Sequence, residues 1–249
     1  MAGHSKWAQI KRKKAVTDAR RASVWTKLIR EITVAARAGG GDPGGNPRLR
    51  LAIDAARAQN MPNENITRAI KKGTGELEGA AYEEVTYEGY GPGGAAIFIE
   101  ASTDNPNRTV AEIRHAFSRN GGNMGASGSV AWMFDRKGLI SVPAAAGDED
   151  RMMELALECG ADDFTREGDQ YVLSTAVQDL HAVQEALRAR GIPVESAGFE
   201  MVPRNTVKVE GEDAARLLRL LEALEELDDV SKVSSNFDID ATQLAAADS

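Results

Sequence analysis

"YEEVTYEGYGPGGAAIFIEASTDNPNRTVAEIRHAFSRNGG" occupies residues 82–122, and three patterns follow one another within it. Residues 82–90 alternate in the manner of a strand, "PGG" (92–94) turns the chain, and "AAIFIEAS" (95–102) is an apolar strand. Asp104 and Asn105 then supply capping groups and Pro106 a helix start. Val110, Ile113 and Phe117 recur at helical spacing until Gly121-Gly122 stops the helix. "SVAWMFDR" (129–136) reads as a further strand. The order strand, strand, helix, strand leaves a layer short of a second helix and a closing strand.

The missing pieces stand far along the chain. "NTVKVE" (205–210) reads as a strand, residues 211–226 as a helix and "VSKVSSNF" (230–237) as a strand. Between the two halves lies a complete cycle over residues 137–203. "GLISVPA" is a strand, "DEDRMMELALECG" a helix, "DDFTREGDQYVLST" a hairpin, "AVQDLHAVQEALRARG" a helix and "IPVESAGFEMVP" a strand. That order is βαββαβ, the ferredoxin-like arrangement. The middle domain is therefore expected to be discontinuous, 78–136 with 204–249, around an inserted domain at 137–203. The last residues, "DATQLAAADS", are expected to fray.

Working outward to the N-terminal side, the period changes to helical. Trp25, Leu28, Ile29, Ile32 and Ala36 form one stripe of a helix from about Thr17 to Ala38, and Arg20, Lys27, Arg30 and Arg37 fall on another side of it. "AGGGDPGGNP" (38–47) ends that helix in a flexible turn. Asn46 caps a second helix with Pro47 at its first position and Leu49, Ile53 and Ala56 inward. Asn63 is expected to cap a third, which Gly73 ends. Residues 1–77 thus form a helical domain. The whole reads as α+β: an N-terminal three-helix domain followed by two α/β domains, at least one of them ferredoxin-like.

Charge divides along the same boundary. Residues 1–72 hold 16 Lys and Arg against five acids, a net of +11, whereas residues 73–249 hold 14 against 33, a net of −19. A solvated surface mixes its signs, so a split this large points to a polyanion partner for one end. The candidate grip is His4, Ser5, Lys6, Trp7, Lys11, Arg12, Lys13, Lys14, Arg20, Arg21, Lys27, Arg30 and Arg37, with Trp7 either stacking on an unpaired base or anchoring the arm. Arg48, Arg50, Arg57, Arg68, Lys71 and Lys72 extend it where they face outward. A second candidate surface is Asn105, Arg108, Arg114, His115, Arg119 and Asn120, beside a Gly-rich loop.

Other classes find little support. His4, His115 and His181 are scattered without metal-ligand spacing, and no nucleophile motif occurs, so no catalytic residue, metal or cofactor is expected. "AGGGDPGGNP" lacks the Gly-Lys-Ser/Thr of a phosphate-binding P-loop. The acids of 148–158 and 222–229 read as solvated helix faces, and Tyr82, Glu83, Glu84 and Glu88 as a polar strand face. The single cysteine, Cys159, reads as a small buried hydrophobe in a reducing compartment. No run of about 18 apolar residues suggests a membrane span, and no apolar stretch follows the basic start as in a secretory signal. A mitochondrial transit peptide is the rival reading of that start, opposed by its passage into a patterned helix.

The stretches "AGHSKWAQIKRKKA" (2–15), "ARAGGGDPGGNPRLRLAIDAARAQNMPNENITRAIKKG" (36–73) and "YEGYGPGGAAIFIEASTDNPNRTVAEIRHAFSRNGGNMGASGSVAWMF" (87–134) resemble the YebC/PmpR family. That family includes the mitochondrial translational activator of cytochrome c oxidase. The resemblance is near full-length. It implies three domains, one helical and two α/β, and a cytoplasmic, non-enzymatic regulator of gene expression. Some members resemble DNA-binding transcription regulators; others resemble ribosome-associated factors that help translation through difficult, for example proline-rich, sequences. The expectation is thus a DNA-binding transcriptional regulator. The alternatives are a ribosomal RNA-associated translation activator and a protein-interaction scaffold whose basic domain docks an acidic partner. Neither DNA against RNA nor an oligomeric state is legible at this level.

Overall fold

The computed structural model describes residues 18–240, with side chains from Ser23 onward. The arm 1–17 and the tail 241–249, for which fraying was expected, lie outside the described residues. Three helices come first: α1 (Asp18–Gly39), α2 (Pro47–Ala58) and α3 (Asn63–Gly73). They share a core of Ile32, Ala35, Ala36, Leu49, Ala52, Ile53, Ala56, Met61, Ile66 and Ala69, with Trp25, Leu28 and Ile29 packed at its edge. Ile32 and Leu49 are fully buried, each contributing about 1.5–3 kcal/mol of transfer free energy.

Asn46 begins α2 as expected, accepting from the Leu49 N–H at 3.1 Å. Its amide also donates to Ala35 O and Gly40 O at 2.8 and 2.9 Å, tying the end of α1 to the start of α2. Arg50 closes the same loop by donating to Pro43 O and Gly44 O, so the turn 39–46 is held by specific bonds. The start of α3 differs from expectation. Pro62 is the cap and Asn63 the first helical residue, without a side-chain cap bond. The proline ring supplies the non-helical entry that a capping side chain would otherwise stabilise. At the other end, a Cβ on Gly73 would meet Thr33 O at 2.4 Å. Only a glycine lets α3 cross α1 that closely.

The chain then forms β1 (Glu83–Tyr90), β2 (Ala96–Thr103), α4 (Pro106–Arg119) and a two-residue β3 (Asn123–Met124). The expected strand over 129–136 is a loop and a short 3-10 turn followed by the start of a longer strand, β4 (Phe134–Pro143). The boundary expected at 136/137 falls inside β4, which runs on through Gly138. A Cβ there would lie 2.4 Å from the Thr175 hydroxyl and 2.9 Å from Leu180, so the glycine serves a close approach within the strand. α5 (Glu149–Glu158), β5 (Asp163–Glu167), β6 (Gln170–Thr175), α6 (Leu180–Ala189) and β7 (Ser196–Pro203) follow. The sheet order β5-β6-β4-β7, antiparallel throughout, is the ferredoxin-like one. Residues 133–206 form one compact unit around it.

The return segment is β8 (Val207–Lys208), α7 (Gly211–Glu226), β9 (Val230–Ser235) and β10 (Phe237–Asp238). β9 pairs antiparallel with β2, completing the order β3-β1-β2-β9, so this sheet takes its last strand from the tail. β8, read as a full strand, is two residues long and pairs in parallel with β10. Asn236 separates β9 from β10 because its carboxamide oxygen accepts from Ala96 N–H at 2.7 Å. α4 and α7 cover one face of the sheet, where Phe117 closes over Gly89 and Leu217 over Gly91. Residues 18–132 and 207–240 belong to one compact unit. Among the described residues no helix is long and apolar enough to cross a membrane.

Candidate nucleic-acid interface

Of the expected grip, His4, Ser5, Lys6, Trp7, Lys11, Arg12, Lys13 and Lys14 lie outside the described residues. Arg20 and Arg21 are on α1, with side chains that are not described. Lys27 and Arg30 correct the expectation. The Lys27 ammonium donates to Glu225 O. Arg30 Nη1 donates to Asp229 Oδ1 at 2.5 Å, Asp228 O at 2.8 Å and Ser102 O at 3.3 Å. Its guanidinium lies 5.3 Å from the Tyr82 ring centre. Both side chains join α1 to the middle domain and are not a free basic face.

Asp229 is the centre of that junction. Its side chain is 3% exposed. Oδ2 accepts from Arg108 Nη2 at 2.7 Å and Nε at 3.3 Å. The hydroxyls of Thr109 and Thr103 lie 2.7 and 3.1 Å from the same oxygen. Burial alone would raise the Asp229 pKa. Arg108, Thr109, Arg30 and Thr103 hold it down instead, to about 2. This residue was read as part of a solvated acidic face. Its partners stand from 120 to 199 positions away, and no local pattern signals them.

The cations left outward are fewer. Arg37, Arg57, Arg68 and Lys71 are exposed and form no ion pair among the described residues. Arg68 and Lys71 stand three residues apart on α3, opposite Ile66 and Ala69. The last turns of α1 and α3 meet at Gly73, whose Cβ would also lie 3.2 Å from the Arg37 amide. Arg37, Lys71 and the half-buried Lys72 therefore gather at one end of the helical region. Gly41 of the Gly-rich loop reaches the same end, against Thr74 and Ile70. Cations in a last turn also offset the helix dipole. Arg48 and Arg50 do not join them. Arg48 bridges Glu31 at 2.8 Å and Glu84 at 2.6 Å, which raises its pKa further, and Arg50 closes its own loop.

The second candidate surface divides in the same way. Asn105 caps α4 by accepting from Arg108 N–H at 3.2 Å. Asn120 closes its far end by donating to Ala116 O at 2.9 Å. Arg108 is held by Asp104 and Asp229. These three serve the helix and the junction, not a ligand face. Arg114, His115 and Arg119 remain exposed on α4.

Glu88 is the residue that the sequence hid best. It is 3% exposed and accepts from the backbone N–H groups of Gly128, Val130 and Ala131 at 2.6, 2.6 and 2.8 Å. Burial would raise its pKa, but the three N–H groups lower it below the usual value. Glu84, Thr86 and Tyr90 share its phase in β1 and are all exposed. Only the loop 125–131 folding over Glu88 makes it different. Cys159 is half-buried, not buried, with Arg190 beside its sulfur. Among the described residues no group of three or more His, Cys, Asp or Glu is arranged to hold a metal ion.

Comparison with known proteins agrees in extent with this architecture. Residues 5–76 match a family model for the TACO1/YebC protein N-terminal domain, and residues 82–237 one for the TACO1/YebC second and third domain. A Gemmatimonas aurantiaca protein named "Probable transcriptional regulatory protein" is 62% identical, over 99% of this chain and 100% of its own. A Chlorobaculum parvum protein of the same name is 58% identical, over 99% and 98%. The crystal structure of a conserved hypothetical protein from Aquifex aeolicus superposes with a TM-score of 0.88 at 51% identity, covering 94% of this chain and 97% of that one.

Proposed function

Since the chain belongs to the TACO1/YebC family, we propose that it is a non-enzymatic, nucleic-acid-binding regulator of gene expression whose helical region grips the phosphate backbone. The observation that carries this reading is the charge partition, +11 over residues 1–72 against −19 over the rest, together with exposed cations that the fold does not use. Arg30, Arg48, Arg50 and Arg108 are consumed within the chain. Arg37, Arg57, Arg68 and Lys71 are not, among the described residues, and the sequence adds Lys6, Lys11, Arg12, Lys13 and Lys14 to the same basic end. Phosphate contacts of this kind bind through counterion release and carry no sequence information. The acidic α/β domains are repelled by the same polyanion, so they serve geometry or protein contacts.

The names of the relatives favour transcription regulation; DNA as the polyanion and the cytoplasm as the compartment are part of the proposal. A titration of duplex DNA binding against salt tests the grip. Its log K should fall steeply with log[salt], by about 0.9 for each phosphate neutralised. A flat salt dependence, or equal affinity in a Lys11/Arg12/Lys13/Lys14→Ala variant, sinks the reading. Ribosomal RNA offers the same phosphates. Genomic footprinting set against co-sedimentation with ribosomal subunits, on the same cells, separates the transcriptional regulator from the translation activator.

A further inference from the structure

Two aromatic side chains among the described residues expose more than a third of their surface, Trp132 at 63% and Tyr90 at 36%. They are not scattered. Trp132 Nε1 and the Tyr90 hydroxyl both donate to the same atom, Ser129 O, each at 3.1 Å. The polar edges of the two side chains therefore meet at one carbonyl, Tyr90 from the end of β1 and Trp132 from the end of the loop 125–132. That loop is the one that Glu88 holds with three backbone bonds of 2.6–2.8 Å. A desolvated carboxylate is an expensive anchor, and here it fixes the platform that carries Trp132. Tyr90 pairs in register with Asn123 of β3, so the C-terminal end of α4, with Arg119, is four residues away along the chain.

We infer that Tyr90 and Trp132 form a stacking platform for an unpaired nucleobase of a single strand. The inference rests on the nucleic-acid-binding reading above and adds a second contact to it, of different chemistry. Both polar edges are already satisfied by Ser129 O, so what the pair offers a ligand is π-face without donors. A base of any sequence fits that offer, because every base has a face to stack. Charge points the same way. Residues 113–134 contain no Asp or Glu, the longest acid-free run in the chain, within a segment that is otherwise strongly acidic. Arg114, His115 and Arg119 lie in that run, and the nearest acids along the chain are Glu112 and Asp135. A phosphate backbone can pass over this stretch where most of the α/β surface would repel it.

The test uses the full chain and labelled 12-mer strands of single-stranded RNA, single-stranded DNA and an abasic strand of equal length, with binding read by fluorescence anisotropy. Trp132→Ala is expected to weaken binding of a base-bearing strand by about fivefold to a hundredfold, the range for one stacked base, and to leave the abasic strand unchanged. A loss on RNA, on DNA or on both supports the platform and identifies the source of the base. Trp132→Phe keeps a ring at the same place and should retain most of the affinity. A loss as deep with Phe as with Ala would trace the effect to the Ser129 hydrogen bond and overturn the inference. Unchanged affinity of Trp132→Ala for both base-bearing strands also overturns it and leaves the face to a protein partner, with the phosphate grip intact. Wild-type protein that binds none of the strands removes the grip and the platform together.

Discussion

Arg30 and Arg37 stand seven residues apart on one helix, two turns along nearly the same face. In the sequence they are equivalent. In the structure the side chain of Arg30 is 14% exposed and bonded to Asp229, whereas Arg37 is exposed and forms no ion pair among the described residues. What differs is only which part of the fold each turn of α1 meets. The first meets the junction of β2 and β9, the second the open end near Gly73. The same contrast separates Arg108 from Arg114 on α4. A basic stripe on a helix thus mixes cations that assemble the protein with cations left for a partner, and removing the two kinds should have opposite consequences.

The largest expected effect lies on the assembling side. Asp229→Ala leaves two guanidinium groups and two threonine hydroxyls around a site that has lost its anion. Removing one partner of a buried ion pair costs about 3–5 kcal/mol, so urea unfolding should move to much lower concentration. Arg37→Ala, two turns from Arg30, should change stability by no more than about 0.5 kcal/mol. If the two variants unfold alike, the distinction between the two kinds of arginine is wrong.

Acid tests the same clasp without mutation. The Asp229 pKa falls from an ordinary 3.8 to about 2 in the folded protein, so the folded state holds its proton less tightly than the unfolded chain does. Its contribution is complete above pH 4 and fades as pH falls toward 2. A shift of this size corresponds to about 2 kcal/mol. Unfolding free energy measured between pH 5 and pH 2 should show this loss in the wild type. Asp229→Asn, which has no proton to gain, should show a correspondingly shallower fall. Equal slopes would break the assignment.

These outcomes bear on what the sequence can disclose. The elements were legible because each depends on neighbours: the stripe from Trp25 to Ala36, the Asn46-Pro47 start, the βαββαβ order, and the strand and helix returned by the tail. Their errors have local physical causes. The boundary expected at 136/137 falls inside β4 because the pairing of Phe134–Lys137 with Glu200–Pro203 is invisible along the chain. The site was less legible. Its overall sign came from charge counting, which needs no geometry. The sorting of Arg30, Arg48 and Arg108 from Arg37, Arg68 and Lys71 depends on acids up to 199 residues away. Asp229 and Glu88 went unrecognised for the same reason, since burial by distant segments leaves no periodic mark.

Glu88 gives a smaller and more local effect. Glu88→Gln keeps the shape of the side chain but removes the charge that three N–H groups share. Hydrogen bonds to a charged group contribute more than neutral ones, so a loss of about 1–2 kcal/mol is expected. Hydrogen exchange should quicken at Gly128, Val130 and Ala131, and stay unchanged in the helical region. Uniform quickening across the chain would mean that Glu88 supports the whole unit and not the loop.

The smallest effect on stability should accompany a clear effect on binding. Arg68 and Lys71 are solvent-facing on α3 and bond to nothing among the described residues, so an Arg68→Gln/Lys71→Gln variant should melt within about 0.5 kcal/mol of the wild type. If each neutralises one phosphate, the slope of log K against log[salt] for duplex DNA should become shallower by about two. Asp229→Asn should leave that slope alone, provided that the protein is folded under the assay conditions. The pair of variants therefore separates the two uses of positive charge in both directions. A slope unchanged by Arg68→Gln/Lys71→Gln would confine the grip to the arm and to the end where Arg37 stands, and α3 would be no more than a solvated helix beside it.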